Sequence, residues 1–191
     1  MKDDYAPRPT ITMPPDTTVT HPAELPYLVH YDDPAMSVFT DFTREHPATI
    51  KPDASISHAL EQMRRSEICV LLVIDDDNRL LGEVNADDIM GDKPVRLAER
   101  MGMKHSKISV EMMMLPREQL RVLEVEHLRH ARVGHIIATL HALESRSVLV
   151  IENGSIRGLF AAGPISRQLG RNIMDEEVPA HSLAEMVRSL S

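Results

Sequence analysis

The segment LLGEVNADDIM, residues 80–90, gathers three polar side chains within residues 85–88: the amide of Asn85 and the carboxylates of Asp87 and Asp88. Each side chain accepts hydrogen bonds, and Asn85 also donates them. Two uses fit. The group can hold a bound small molecule, or it can open a helix, with Asn85 as N-cap and Asp88 favoured by the helix dipole. A second segment, IRGLFAAGPIS at 156–166, repeats the apolar frame without the polar letters. Gly82 matches Gly158, Val84 matches Phe160 and Ile89 matches Ile165. Asn85, Asp87 and Asp88 become Ala161, Gly163 and Pro164.

Other chemistry-bearing residues carry less. The run Asp75-Asp76-Asp77 reads as a solvated turn, because bare turn carboxylates lack a fixed cage for a cation. His127 and His130 can share one helical face, with Glu124 nearby, but zinc takes three or four ligands, and no metal site is assigned. His58 and His135 stand at equivalent positions of the two copies and read as packing or surface residues. Cys69 lies in the apolar run CVLLVI and reads as an inert core residue. The sequence holds no G-x-S-x-G, P-loop or H-E-x-x-H pattern. No catalytic residue is assigned, and the chain is not read as an enzyme.

The elements that position the motif are themselves repeated. ATIKP reads as a short strand ended by Pro52. Ile56, Ala59, Leu60 and Met63 then fall at the spacing of one helical face, with Asp53 or Ser55 as cap. CVLLVI at 69–74 and RLLGEV at 79–84 flank a charged turn and read as a hairpin. NADDIM opens a short helix. Val133, Ile136, Ile137 and Leu140 repeat the helical spacing 77 positions later, and SVLVI at 147–151 repeats the strand at the same offset. The turn ENGS is one residue shorter, so Gly158 follows Gly82 by 76. LRVLEV at 120–125 is the counterpart of ATIKP. The unit is strand, helix, strand, strand, helix, used twice, and two such units bury the sheet faces that one would expose.

Around these units, residues 1–35 form a Pro-rich arm, 36–98 the first unit, 99–170 the second, and 171–191 a tail with a helix. Seven of the thirteen prolines lie before residue 35, which rules out a helix or an inner strand there. The arm reads as a flexible tail or as a segment laid across a partner subunit. MGDKPVRLAERMGMKHSK, 90–107, joins the halves. ISVEMMM at 108–114 resembles a short helix, with SVFTDF at 37–42 as its partner. Ser182 and Glu185 form a capping box for a last helix with Leu183, Met186, Val187 and Leu190 on one face.

Composition closes several function classes. The chain has 191 residues, enough to bury roughly 70% of its unfolded surface. Aromatics are 3%, with no Trp, so the core is aliphatic with soft filling from twelve methionines. Net charge is −8, against the basic face that phosphate neutralisation demands, so no nucleic-acid partner is expected. No apolar run approaches the length of a span and the start lacks the apolar middle of a signal peptide, so no membrane role is expected. One cysteine cannot form an internal disulfide, and the cytoplasm is the expected compartment.

A duplicated unit whose last strand runs Gly-apolar-x-[Thr/Ser]-x-x-Asp resembles the CBS domain pair, or Bateman module, over about residues 36–170. LLGEVNADDI carries the pattern with Asn85 where Thr or Ser is usual; IRGLFAAGPI carries only its hydrophobic frame. IMGDKP resembles the segment after the first motif in a bacterial stand-alone subgroup. The resemblance implies an α/β fold of tandem CBS motifs and a regulatory module for an adenosine-containing ligand: AMP, ADP, ATP or S-adenosylmethionine. It implies a homodimer and an unknown protein target. Carried over, it places Asp88 on the ribose hydroxyls, Asn85 at the second polar position, and Thr49, Ile50 and Ile68 at the adenine walls. A carboxylate offers two acceptor oxygens to the two donors of a ribose diol, and the amides opening the helix suit phosphate. No further cofactor is implied. The alternative is a ligand-free dimeric interaction scaffold, in which Asn85 and Asp88 only cap a helix.

Overall fold

The computed structural model describes residues 28–174. The arm up to residue 27 and the helix expected at 182–190 lie outside the described residues. Copy one opens with β1 (Thr40–Asp41), β2 (Thr49–Ile50) and α1 (Ile56–Ser66). Ser55 caps α1, its hydroxyl accepting from the His58 amide at 3.1 Å. Ile56, Ala59 and Met63 are buried, the stripe that folds an amphipathic segment onto a core. β3 (Val70–Ile74) and β4 (Leu80–Asn85) form the hairpin, and Asn85 opens the short helix α2 (Ala86–Met90). Next come α3 (Lys93–Met101) and β5 (Leu115–Pro116). Copy two supplies β6 (Val122–Glu124), α4 (Val133–Ala142), β7 (Ser147–Glu152), β8 (Ser155–Ala161) and α5 (Ala162–Leu169). The α/β class and the tandem units stand as expected.

Three local expectations are corrected. The joining segment 90–107 contains helix α3, with Pro94 in the first turn, where its missing amide costs nothing. Gly102 ends that helix in the left-handed region at φ 61°. The short helices expected at 37–42 and 108–114 do not form. Ala35–Val38 is a 3₁₀ turn running into β1. Ile108 and Val110 are both buried, the alternation of extended chain. Their backbone is tied to the start of α1: Val110 N–H donates to Ala54 C=O at 2.8 Å, and Ile56 N–H to Ile108 C=O at 3.3 Å.

The two sheets have the same order and direction. One runs β2-β3-β4-β5 and the other β6-β7-β8-β1, with the first pair parallel and the rest antiparallel. The fourth strand of each sheet therefore comes from the segment that leads into the other copy. The cores are exchanged in the same way. Val29, Ala35 and Val38 are buried with Val148, Val150 and Phe160 of copy two. Ile108, Val110 and Met113 are buried with Leu71, Val73 and Val84 of copy one. A buried aliphatic side chain contributes about 1.5–3 kcal/mol, so neither half-core is complete without the other copy's lead segment.

This exchange explains why the glycines of the repeated phrase survive. A Cβ at Gly82 would overlap the carbonyl oxygen of Leu115 on β5. A Cβ at Gly158 would overlap the carbonyl oxygen of Thr40 on β1 and the ring of Phe39. Each glycine marks where the exchanged strand crosses at backbone distance.

Candidate functional site

Exchange of lead segments places the last strand of one copy against the helix-to-strand turn of the other, and a cleft opens at each junction. The larger, about 930 Å³, has Glu83, Asn85, Asp87 and Asp88 on one wall. Leu143, Glu144, Ser145 and Arg146 from copy two form the opposite wall, and Lys93, Arg96 and Arg100 of α3 and Met112–Pro116 close the sides.

Local structure fixes the polar wall. Asn85 is extended at φ −112° and serves as N-cap of α2, its Oδ1 accepting from the Asp88 amide at 2.8 Å. Its Nδ2 donates back to Asp88 Oδ2 at 2.7 Å. The other Asp88 oxygen is ion-paired with Lys93 Nζ. Both carboxylate oxygens thus have a partner, yet a carboxylate carries about four lone-pair sites and can accept further donors. α2 has five residues, and the amide of Asp88 is already taken. Phosphate binding by this helix start, expected from sequence, therefore has no structural support.

Asp87 points away from Asp88's partners and pairs with Arg146 Nε at 2.6 Å across the two copies. That pair lines both clefts. Behind Asp88, Glu83 is buried at 5% exposure, and the Ser147 hydroxyl lies 3.1 Å from both of its carboxylate oxygens. Burial pushes the Glu83 carboxyl above its ordinary range; the Ser147 hydrogen bond opposes this, and the negative charge of Asp88 adds to it.

The second cleft, about 180 Å³, is the pseudo-symmetric counterpart. Leu159, Ala161, Gly163 and Pro164 replace Glu83, Asn85, Asp87 and Asp88, and Ile68, Cys69 and Val70 replace Ser145, Arg146 and Ser147. Cys69 is exposed in this cleft, which corrects its expected place in the core: β3 starts one residue later, at Val70.

The expected site residues are thus divided. Asn85 and Asp88 meet in the large cleft, and Ile68 lines the small one. Ile50 is buried in the first core, and Thr49 uses its carbonyl to accept from Gln62 Nε2 at 3.0 Å; neither lines the two clefts. Sequence reading missed Glu83, Ser147, Arg146 and the α3 cations. Lys93, Arg96 and Arg100 at i, i+3 and i+7 were the available signal, hidden once 90–107 is taken as a connector.

Among the described residues, no three His, Cys, Asp or Glu side chains are gathered to hold a metal ion, and no helix is long and apolar enough to cross a membrane. The arrangement offers hydrogen bonds and charge of both signs across a junction between two repeats.

Residues 39–92 match the family model of the CBS domain. Solved structures share the fold. A conserved protein from Pyrococcus horikoshii aligns with a TM-score of 0.53 at 22% identity, covering 72% of this chain and 92% of that one. A CBS-domain-containing protein from Agrobacterium tumefaciens gives 0.51 at 22% identity, covering 66% and 88%. A protein with CBS domains from Burkholderia ambifaria gives 0.50 at 20% identity, covering 70% and 88%. Comparison with curated proteins returned no match.

Proposed function

Because the chain is a CBS domain protein, we propose that it is a regulatory module that binds an adenosine-containing ligand, an adenine nucleotide or S-adenosylmethionine, in the large cleft. The observation that carries this reading is the asymmetry of the two clefts. One is walled by Asn85, Asp88, Glu83 and Arg146 from both repeats, and at the pseudo-symmetric positions its counterpart carries Ala161, Pro164, Leu159 and Cys69. Asp88 accepts from the ribose hydroxyls beside its existing partners, and Asn85 stands next to it.

A ligand that touches both walls binds one arrangement of the repeats better than another. It shifts the population by that difference in affinity and no more. The shift is read by a protein target in the cytoplasm, with the module acting as a homodimer.

A thermal-shift screen with AMP, ADP, ATP, S-adenosylmethionine and NAD tests the reading. A ligand at about 100 times its Kd stabilises the fold by about 2.7 kcal/mol. Asp88→Ala weakens binding about tenfold to a hundredfold, through loss of one or two charged hydrogen bonds. An unchanged Kd in that variant removes Asp88 from the site.

A second reading has its own observation. The reciprocal 2.7 and 2.8 Å bonds between Asn85 and Asp88 cap α2 with no ligand needed, and Met90, Val95 and Met101 stand exposed beside it. This fits a ligand-free dimeric scaffold. No thermal shift with any of the five compounds, together with a stable dimer, favours it.

A further inference from the structure

The cations of α3 have no partner that explains all of them. Lys93 is taken by Asp88 and Arg146 by Asp87. Arg96 and Arg100 line the same cleft, are exposed, and make no ion pair or side-chain hydrogen bond among the described residues. They stand at i and i+4, where like charges repel and destabilise a helix slightly. The chain has 29 acidic residues against 21 basic ones, so acidic partners for such a pair are abundant in composition. Glu99, their neighbour on α3, does not line the cleft. Two guanidinium groups are thus held side by side over a cavity without an acidic partner. The acids that do face the cavity are Glu83, Asp87, Asp88 and Glu144. Two of them are already neutralised by Lys93 and Arg146, Glu83 is held by Ser147, and Glu144 is exposed on the opposite wall.

The position of Lys93 gives this cluster a direction. Lys93 marks the Asp88 end of α3. Arg96 and Arg100 lie about 4.5 Å and 10.5 Å further along the helix axis, from the rise of 1.5 Å per residue. A ligand held by its sugar at Asp88 and extended along α3 meets Lys93 first, then Arg96, then Arg100. Guanidinium groups present planar forks that match phosphate oxygens, and a row of them suits a chain of phosphates better than a single one.

Resting on the adenosine-cleft reading above, we propose that the ligand is a nucleoside di- or triphosphate, with its terminal phosphates held by Arg96 and Arg100. This sets it apart from a nucleoside monophosphate, which ends near Lys93, and from S-adenosylmethionine, whose sulfonium is a cation.

The test is calorimetric titration of the full chain with adenosine, AMP, ADP, ATP, S-adenosylmethionine and inorganic tripolyphosphate. Wild type is compared with Arg96→Gln/Arg100→Gln. Both side chains are exposed, and a Tm within two degrees or so of wild type, as for ordinary surface changes, shows the variant folded. ATP is expected to bind about tenfold or more tighter than AMP, from one or more charged hydrogen bonds, and the double variant is expected to erase that difference. The advantage also falls as salt rises, since exposed charges are screened. Equal binding of AMP and ATP, preference for S-adenosylmethionine, or an ATP advantage that survives in the double variant overturns the inference and leaves the adenosine reading standing. Binding of tripolyphosphate without any nucleoside compound, lost in the double variant, sinks the adenosine reading and keeps the phosphate site. No binding by any of the six sinks both.

Discussion

The two clefts of this molecule are built on one backbone and share the Asp87–Arg146 pair, yet their pseudo-symmetric wall positions carry different chemistry. Glu83, Asn85, Asp87 and Asp88 face Ser145 and Arg146 in one, with Ser147 bonded to Glu83; Leu159, Ala161, Gly163 and Pro164 face Ile68, Cys69 and Val70 in the other. What stays constant is the frame. Gly82 and Gly158 remain because a backbone carbonyl occupies the space of a side chain at each. Glu67 and Glu144 both adopt positive φ, 54° and 49°, where each helix turns into its strand. The difference teaches that duplication fixes the residues set by backbone crossing and leaves the cleft walls free to diverge. The loss in copy two is also internally consistent. Asn85 caps α2 by accepting from the amide at the third helical position, Asp88. In α5 that position is Pro164, which has no amide, so a capping side chain at Ala161 would have no donor there. Cap and donor disappear together.

Breaking the constant part has the largest expected effect. Gly82→Ala and Gly158→Ala each force a Cβ into a backbone carbonyl and cost about 3 kcal/mol, the upper end for overpacking. In a chain of this size that lowers Tm by roughly 6–12 °C. Thermal unfolding of both variants checks it. Loss of under about 0.5 kcal/mol in either, the size of an ordinary surface change, would mean the exchanged strand does not cross there.

Next is the buried polar contact that only the large cleft has. Ser147→Val copies the Val70 of the other cleft and leaves the Glu83 carboxyl buried without its hydroxyl partner. The expected cost is about 1–3 kcal/mol. Glu83→Leu/Ser147→Val copies the whole apolar pair, Leu159 and Val70, and restores stability to near wild type or above it, as apolar replacement of both partners does. Denaturant unfolding of the two variants gives the answer. If the double variant is no better than Ser147→Val, the pair is not a self-contained unit.

Smaller still is the cap. Asn85→Ala costs about 1 kcal/mol, the usual value of a lost N-cap. The reverse change, Ala161→Asn, gains less than about 0.5 kcal/mol because Pro164 offers no amide. A gain equal to the Asn85→Ala loss would contradict the pairing of cap and donor. The two variants also separate cap from ligand site: a cap alone changes Tm without changing nucleotide affinity.

What was legible in the sequence follows from what is local. The stripe Ile56, Ala59, Met63 and its echo Val133, Ile136, Leu140 report helices directly, because both faces are set within a few turns. The hairpins are equally local, and Asn85 and Asp88 sit in a motif that names its own neighbours. The exchange was not legible. β1 and β5 are two-residue strands, and Asp41 pairs with Gly158 far along the chain, so no periodicity announces them. Ile108 and Val110 imitate a helix only until their alternation is set against the core they fill. The site suffered in the same way. One wall of the large cleft comes from residues 143–146 of the other repeat, and Glu83 stands at the apolar position of the motif, where only the facing Ser147 gives it meaning.

The smallest expected effect is one of pH, and it isolates Glu83 from the rest of the cleft. Burial raises its carboxyl above the ordinary 4.5 in the folded state. The folded form then holds its proton more tightly than the unfolded form. The group's contribution is full below the unfolded value and is lost as pH rises through the folded one. Glu83→Gln keeps the shape and cannot ionise. The Tm of wild type relative to Glu83→Gln is therefore expected to fall as pH rises from about 4 toward neutrality and then to level off. Taking the difference cancels the titration of groups that behave alike in both proteins. Leu159 gives the second cleft no such group, so Leu159→Ile, compared in the same way, gives a difference that does not change with pH. A flat profile for Glu83→Gln as well would mean that the Glu83 carboxyl is not desolvated, and the two clefts would then differ in hydrogen bonding alone.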